Sequence, residues 1–288
     1  MKKVIIIFIT IITILLLIFF YGFYKVNNHS NDGISVLAYH HFVSEEEKNK
    51  YYKDNYNVIS VEQFDKQMKY LKDNGYKSIT PDKIICYIDN KCEVDNKSFL
   101  ITMDDGNISS YYKALPILEK YGFDSINFVI SSRINETTHD WAENEFYFLG
   151  QDKIDEILKK HPSMIIGSHT DNMHDLVDGR NPIELKNYEE VINDLKLSRK
   201  LLNNTKYLAY PFGTKDEKYT KAAKEVGFDL AFTFKDNQKV KNTADKYLVP
   251  RIEIRADYTM NDFVAVINEK VTLKSYTKSI IKKIINKD

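Results

Sequence analysis

Ser98-Phe99-Leu100-Ile101-Thr102-Met103-Asp104-Asp105-Gly106 is the most informative segment of this chain. A run of β-forming apolar residues ends in two adjacent carboxylates and a glycine. A strand of this kind delivers charge to the C-terminal edge of a sheet, where α/β folds keep their active sites. Neighbouring strand residues point to opposite faces. A glycine at 106 allows a sharp turn, so that both acids face one cavity. One carboxylate can then hold a metal while the other moves a proton. The plain alternative is an acidic turn, since Asp-Asp-Gly is a common turn composition.

Outward from this segment, strands and helices alternate. Ile34–Tyr39 reads as a strand ending in His40-His41, followed by a charged, exposed and mobile loop over 44–57. Ser60 and Gln63 form a capping box. Val61, Phe64, Met68 and Leu71 then stripe a helix that ends at Gly75. Another helix starts at Pro81. The helix over 109–121 carries Pro116 and must kink or restart there. Ser125–Ile130 is a strand, Asp152–Lys160 a helix, and Met164–Gly167 a strand ending in Ser168-His169-Thr170. One long helix follows Pro182. Tyr207–Tyr210 is a strand ending in Pro211-Phe212-Gly213, the next helix is capped by Gly227, and Leu230–Thr233 and Leu248–Ile254 are the last strands. Alternation of this kind implies a parallel sheet, closed or nearly so. The expected fold is α/β, a distorted (β/α)7-type barrel over residues 34–270, preceded by one transmembrane helix.

Composition adds the setting. The 288 residues carry 41 Lys+Arg and 41 Asp+Glu, so no net charge points to nucleic acid, and no basic aromatic-rich motif appears. Residues 1–24 form a separate element. Lys2 and Lys3 precede an uncharged run from Val4 that, with Tyr21 to Tyr24, reaches the roughly 20 residues needed to cross a bilayer. No small-residue cleavage site follows, which favours a retained signal anchor over a cleaved signal peptide. The positive-inside rule places the two lysines in the cytoplasm and the rest, beyond a polar tether over 25–33, outside the cell. Cys86 and Cys92 would then lie in a non-cytosolic space, either as a disulfide or as two thiols. Residues 271–288 repeat Leu or Ile at near-helical spacing among five lysines. This basic amphipathic helix either packs on the barrel or lies on an anionic membrane.

In a parallel barrel the strand ends converge on one rim. That rim would gather His40-His41, Asp104-Asp105, His169 with His174, and Tyr210-Pro211-Phe212-Gly213. The two histidines are five residues apart, which suits a strand end and a returning loop rather than the four-residue spacing of a helical zinc motif. With Asp105 they make a His, His, Asp set that leaves a coordination position open, the pattern of a catalytic site for zinc or a similar divalent metal.

The blocks Thr102-Met103-Asp104-Asp105-Gly106, Ser168-His169-Thr170…His174 and Ala209-Tyr210-Pro211-Phe212-Gly213 resemble the first three motifs of the polysaccharide deacetylases, the NodB-homology domain of carbohydrate esterase family 4. Val36-Leu37-Ala38-Tyr39-His40 and Leu248-Val249-Pro250-Arg251-Ile252 look like the branch that deacetylates poly-β-1,6-N-acetylglucosamine. The resemblance implies that Asp105, His169 and His174 hold one divalent metal ion, Zn2+ before Co2+, Ni2+ or Mn2+. It implies that Asp104 is the general base, that the backbone N–H of Phe212 helps bind the oxyanion, and that Arg251 orients Asp104. A late histidine acts as general acid in much of the family, but this chain has none after His174. In the branch that role falls to the early Tyr-His motif, here His40, with His41 as a neighbour easily confused with it. The family's usual Arg before the Pro-aromatic pair is also missing, and Lys206 is the nearest cation.

Tyr210, Phe212, Trp141 and Leu248 are the expected substrate contacts, with Phe146 and Tyr147 as further aromatics. The insertion over 131–150 is the expected groove wall, being long for a strand–helix loop. The implied function is metal-dependent removal of N-acetyl groups from an exported N-acetylglucosamine polymer, by an enzyme held in the cell membrane, with a synthase or export machinery as a further expected partner. Peptidoglycan or chitin oligomers as substrate, and a catalytically silent glycan-binding module, are the competing readings. A metal phosphoesterase lacks second-metal ligands.

Overall fold

A computed structural model describes residues 2–28, 32–214, 216–234 and 238–285. The chain divides into two compact units: Asp32–Tyr258, and the two chain ends together, Met1–Asn31 with Thr259–Asp288.

The larger unit is built on seven strands in chain order: β1 Ser35–Tyr39, β2 Ser98–Met103, β3 Ser125–Val129, β4 Met164–Ser168, β5 Tyr207–Ala209, β6 Leu230–Phe234 and β7 Val249–Glu253. Each is parallel to the next, and β1 pairs with both β2 and β7, which closes the barrel. The two-residue strand Lys77–Ser78 pairs with the start of β2, below the point where β3 joins it. The barrel is least tightly laced between β4 and β5, where Ser168 and Leu208 form the single register pair.

Alternation along the strands sorts the core into two layers. Val36, Leu100, Ile126, Phe128, Ile165, Tyr207, Ala209, Leu230, Phe232 and Val249 come from all seven strands and meet in one cluster, the barrel interior. The helix Pro81–Ile88 adds Ile84 to it. Leu208, Tyr210 and Ala231 face the other way, against apolar residues of Tyr188–Leu201 and Glu217–Val226. Gly167 is on the interior face because the Phe128 ring lies where a Cβ would point, 2.5 Å away.

Several local expectations change. The segment after Ser44 is not a plain loop. Ser44 caps a helix, Glu45–Tyr51, and His41–Val43 pairs with Val58–Ser60 in a small parallel ribbon. Ser60 accepts from the Gln63 amide as expected, but the Gln63 side chain donates to the Tyr258 carbonyl instead of reaching back. The helix after Pro182 breaks at extended Lys186, and a new helix starts at Tyr188 under an Asn187–Glu190 capping box. At Pro116 the chain restarts: a π-helical turn, Ser110–Ala114, gives way to Leu115–Tyr121 with the proline in its first turn, where no N–H is needed. Cys86 and Cys92 are joined as a disulfide.

In the smaller unit the N-terminal helix runs from Lys2 to Asn27. It therefore takes in the first residues assigned to the tether, of which 29–31 lie outside the described residues. Ile5–Asn27 is long and apolar enough to cross a membrane. The C-terminal helix is Leu273–Ile285, and 286–288 lie outside the described residues.

The turn after β2 makes a direct test. Gly106 has φ +71°, and a Cβ there would sit 2.9 Å from Val129 Cγ1 and 3.1 Å from its Cα. Gly106→Ala is expected to cost about 1–3 kcal/mol, read as a lowered midpoint of denaturant unfolding at unchanged slope.

Candidate active site

The site begins at the end of β2. The Asp104 amide donates to the Tyr39 carbonyl at the end of β1, 3.0 Å, which extends the ladder and sets His40 beside Asp104. Asp105 then has φ +72° and Gly106 +71°. Two successive left-handed residues reverse the chain, so both carboxylates reach the barrel mouth; the sequence pointed to Gly106 alone.

Asp104 follows Leu100 and Thr102 on the interior face and meets Arg251, which follows Val249 on β7. Arg251 Nη1 donates to Asp104 Oδ1 at 2.6 Å and Nη2 to Oδ2 at 2.9 Å. The guanidinium is fully buried and lies 4.4 Å from the Phe234 ring centre and 5.5 Å from that of Phe128. Arg is suited to this place because its planar fork matches a carboxylate and its faces accept aromatic neighbours. Burial pushes the Asp104 carboxyl up, but the charge and paired hydrogen bonds of Arg251 outweigh it and hold the group below the usual carboxylate range.

Asp105, His169 and His174 converge, with one ligand atom from each lying within 4.8 Å of the others. Asp105 Oδ1 is 3.1 Å from His174 Nε2 and 3.7 Å from His169 Nε2. It is buried yet takes no well-directed hydrogen bond. His169 Nδ1 lies 2.8 Å from the Ala209 carbonyl. A carbonyl can only accept, so Nδ1 carries the proton and Nε2 presents a lone pair to Asp105. Burial lowers His169 to about 4, which keeps the imidazole neutral. Burial again opposes ionisation of Asp105, but the close approach of His174 and the neighbouring imidazoles of His40 and His169 hold its carboxyl far below the usual range. A deprotonated carboxylate and two imidazoles, that of His169 fixed by its second nitrogen, are what a borderline divalent cation needs. The donor set fits a zinc-like ion.

A loop between the two histidines is held by a residue that the sequence reading missed. Asp194, inside the helix Tyr188–Leu201, accepts from the Asp171 and Asn172 amides, both at 2.9 Å. Its signal was an acid on the apolar stripe of that helix, between Ile192 and Leu195.

His40 and His41 separate cleanly. His40 Nε2 is 4.0 Å from Asp104 Oδ2 and 17% exposed. The His41 ring is buried, with Nδ1 2.9 Å from Asn107 Oδ1 and 3.0 Å from Ser109 Oγ, beneath Phe146 and Trp141. A cavity of about 280 Å³ adjoins His40 and Asp105. Arg133, Phe146 and Phe148 of the 131–150 insertion form one of its sides.

The expected substrate contacts fare unevenly. Phe212 is 46% exposed, stacks on His174 with centroids 5.0 Å apart, and has φ +57°. Its amide precedes the first intrahelical bond of the turn, Gly213 N–H to the Tyr210 carbonyl. Tyr210 requires correction: its side chain is fully buried on the helix-facing layer, and its hydroxyl donates to the Tyr247 carbonyl. Leu248 also requires correction. It precedes β7, away from the mouth, and packs into the same layer. Trp141 is half-buried against Val43, Tyr52 and Val58, with Lys113 Nζ 4.6 Å from its ring centre. Tyr147 stacks on His139.

With this geometry established, comparison with known proteins is decisive. The polysaccharide deacetylase profile matches residues 91–231. A poly-beta-1,6-N-acetyl-D-glucosamine N-deacetylase of Staphylococcus epidermidis is 30% identical over 233 residues, 79% of this chain and 74% of the relative. This chain belongs to the polysaccharide deacetylase family. Among solved structures, IcaB from Ammonifex degensii superposes with a TM-score of 0.67 at 25% identity, covering 82% of this chain and 96% of that one. Deacetylase PplD of Streptococcus pyogenes, in complex with acetate, gives the same score at 23% identity, covering 83% and 99%. The barrel is thus the family's fold, and the protein is a polysaccharide N-deacetylase.

Two measurements probe this deacetylase's site. Arg251→Met leaves Asp104 buried and unpaired, an expected loss of about 3–5 kcal/mol in denaturant unfolding. Adding Asp104→Asn should recover much of that loss in a double-mutant cycle. The second concerns pH. Burial lowers His41 and His169 from 6.5 to about 4. Between those values the unfolded chain binds protons that the folded chain refuses. Stability of the chelator-treated protein is therefore full above pH 6.5 and falls as pH drops towards 4. His41→Asn, which keeps a donor near the Nδ1 position but does not titrate, should flatten part of that slope in thermal melts.

Proposed function

We propose that this deacetylase removes N-acetyl groups from an exported poly-β-1,6-N-acetylglucosamine at the outer face of the cell membrane, with a zinc-like ion held by Asp105, His169 and His174. The observation that carries the reading is the convergence of those three ligand atoms beside an Arg-paired Asp104, with His40 4.0 Å from the same carboxylate. The choice of polymer is supported by the relative's name and by the Tyr39-His40 and Pro250-Arg251 stretches.

An acetamide resists neutral water. The ion, when bound, supplies Lewis acidity to the acetyl carbonyl and acidifies water. Asp104, ionised and fixed by Arg251, accepts the proton of the attacking water. Arg251 is a positioning residue: both guanidinium nitrogens used on Asp104 leave the carboxylate no freedom to rotate. The Phe212 amide donates to the oxygen where charge develops. Phe212 stacks on His174 and offers an exposed ring to a sugar face. His40 gives the leaving amine its proton, a task suited to an imidazole. His41 has no part in proton transfer, because its ring is buried and engaged by Asn107 and Ser109. The helix Lys2–Asn27 is the single membrane crossing, with the barrel outside.

Asp104→Asn is expected to lower turnover by at least ~10²-fold while binding of Zn2+ measured by titration calorimetry stays intact. Near-native turnover would refute the base assignment. His40→Ala should slow amine release, and His41→Ala should act mainly on stability. Free-amine release from defined β-1,6 and β-1,4 oligomers and from peptidoglycan, with and without chelator, tests the substrate. Preference for a β-1,4 or peptidoglycan substrate would overturn the proposed polymer.

A further inference from the structure

The two histidines of the candidate site are held in different ways. His169 stands at the end of β4, where its amide donates to the Val129 carbonyl and its Nδ1 to the Ala209 carbonyl, both at 2.8 Å. The barrel itself fixes that ring. His174 lies five residues on, beyond the strand. Among the described residues its ring nitrogens reach only Asp105, Nε2 to Oδ1 at 3.1 Å, and no main-chain group grips the ring. Its direction therefore depends on the backbone of residues 170–173.

One helix holds that backbone. Asp194 and Ser198, one turn apart on Tyr188–Leu201, lie on the same face. The two Asp194 oxygens accept from consecutive amides, Oδ1 from Asp171 and Oδ2 from Asn172, both at 2.9 Å. Ser198 Oγ is 2.7 Å from Ser168 Oγ, which accepts from the Thr170 amide at 3.1 Å. Thr170 has φ +71°, a conformation that a β-branched residue adopts only when its surroundings impose it. Met173 is fully buried in one cluster with Val191, Ile192 and Leu195 of the same helix.

The choice of residue at 194 is narrow. Consecutive N–H groups ask for two acceptor oxygens side by side, which a carboxylate supplies and a side-chain amide or hydroxyl does not. A carboxylate this buried is costly to desolvate. Met173 alone would tie the loop to the helix. What the carboxylate adds is a fixed direction for the peptide planes that lead into His174.

We infer that Asp194 is a positioning residue for metal capture, with Ser198 as its accessory: together they hold the 170–173 backbone so that His174 Nε2 faces Asp105 whether or not an ion is bound. Binding of the ion then does not have to order the loop, and affinity is higher for it. Both residues act through the loop. The inference rests on the reading of Asp105, His169 and His174 as the ligands of a zinc-like ion.

The test uses the full chain in detergent, stripped with chelator and titrated with Zn2+ against a chromophoric chelator. Asp194→Asn keeps the volume but turns an N–H towards an N–H, and it should weaken Zn2+ binding about 10–100-fold. Co2+ bound to this variant should show shifted, weaker d–d bands. In its metal-free form the peptide over 170–173 should exchange amide hydrogens faster than in the native chain. Val191→Ala removes packing from the same helix, so it should lower the unfolding midpoint but leave Zn2+ affinity within about twofold. Ser198→Ala should weaken Zn2+ binding several-fold. It decides the matter if Asp194→Asn does not fold, and unchanged affinity there would overturn the inference. Native affinity and an unchanged Co2+ spectrum in Asp194→Asn overturn the inference alone, as does a loss of affinity matched by Val191→Ala. A native chain that takes up no Zn2+, or a His174→Ala variant that binds it as tightly, overturns the ligand assignment and the inference together.

Discussion

A buried arginine on the last strand gripping a carboxylate at the end of the second is the interaction around which this barrel is arranged. Isolated in the interior, either charge would cost several kcal/mol. Together, with both Nη atoms on the carboxylate and two aromatic rings against the guanidinium, they form a fixed polar plug above an apolar interior. The pair exists only if β7 and β2 both flank β1, so chain closure and the placement of Asp104 are one event. The candidate site is built on that plug: Asp105 turns away from it, His40 lies beside it, and His169 and His174 follow β4 alongside.

Specialisation of neighbouring residues follows from which way each points. Asp104 and Asp105 are adjacent, yet one is committed to an arginine and the other to two imidazoles. His40 and His41 are adjacent, yet one faces the mouth and the other is locked under aromatic rings. In each pair a small backbone difference, a left-handed residue or a switch from barrel to ribbon, divides two identical side chains between separate tasks.

The order of elements and the convergence of strand ends were legible in the sequence, because a parallel barrel announces itself by alternation and each strand end here carried a chemically unusual residue. The convergence of Asp105, His169 and His174 was legible for the same reason. Contacts that depend on facing were not. Tyr210 sits in a motif that reaches the mouth, but period-two alternation turns its ring to the helices, while Ala209 faces inward. Leu248 lies at the wrong end of its strand. Asp194 showed in the sequence only as an acid on an apolar helix stripe; its partners are backbone amides of a distant loop, and nothing in residue type marks an amide as needing an acceptor. The helix after Ser44 was hidden by charge, since Glu-rich segments read as solvated loop until their cap is seen.

The hydrogen bond from His169 to the Ala209 carbonyl carries an evolutionary corollary. The tautomer of that imidazole is dictated by main chain, which every amino acid supplies equally. Drift in the identity of residue 209 is therefore silent to Nε2 so long as the strand keeps its course. Robustness of the imidazole's orientation to mutation at that position is inherited from sheet geometry, and the side chain there stays free to answer only to the crowding inside the barrel.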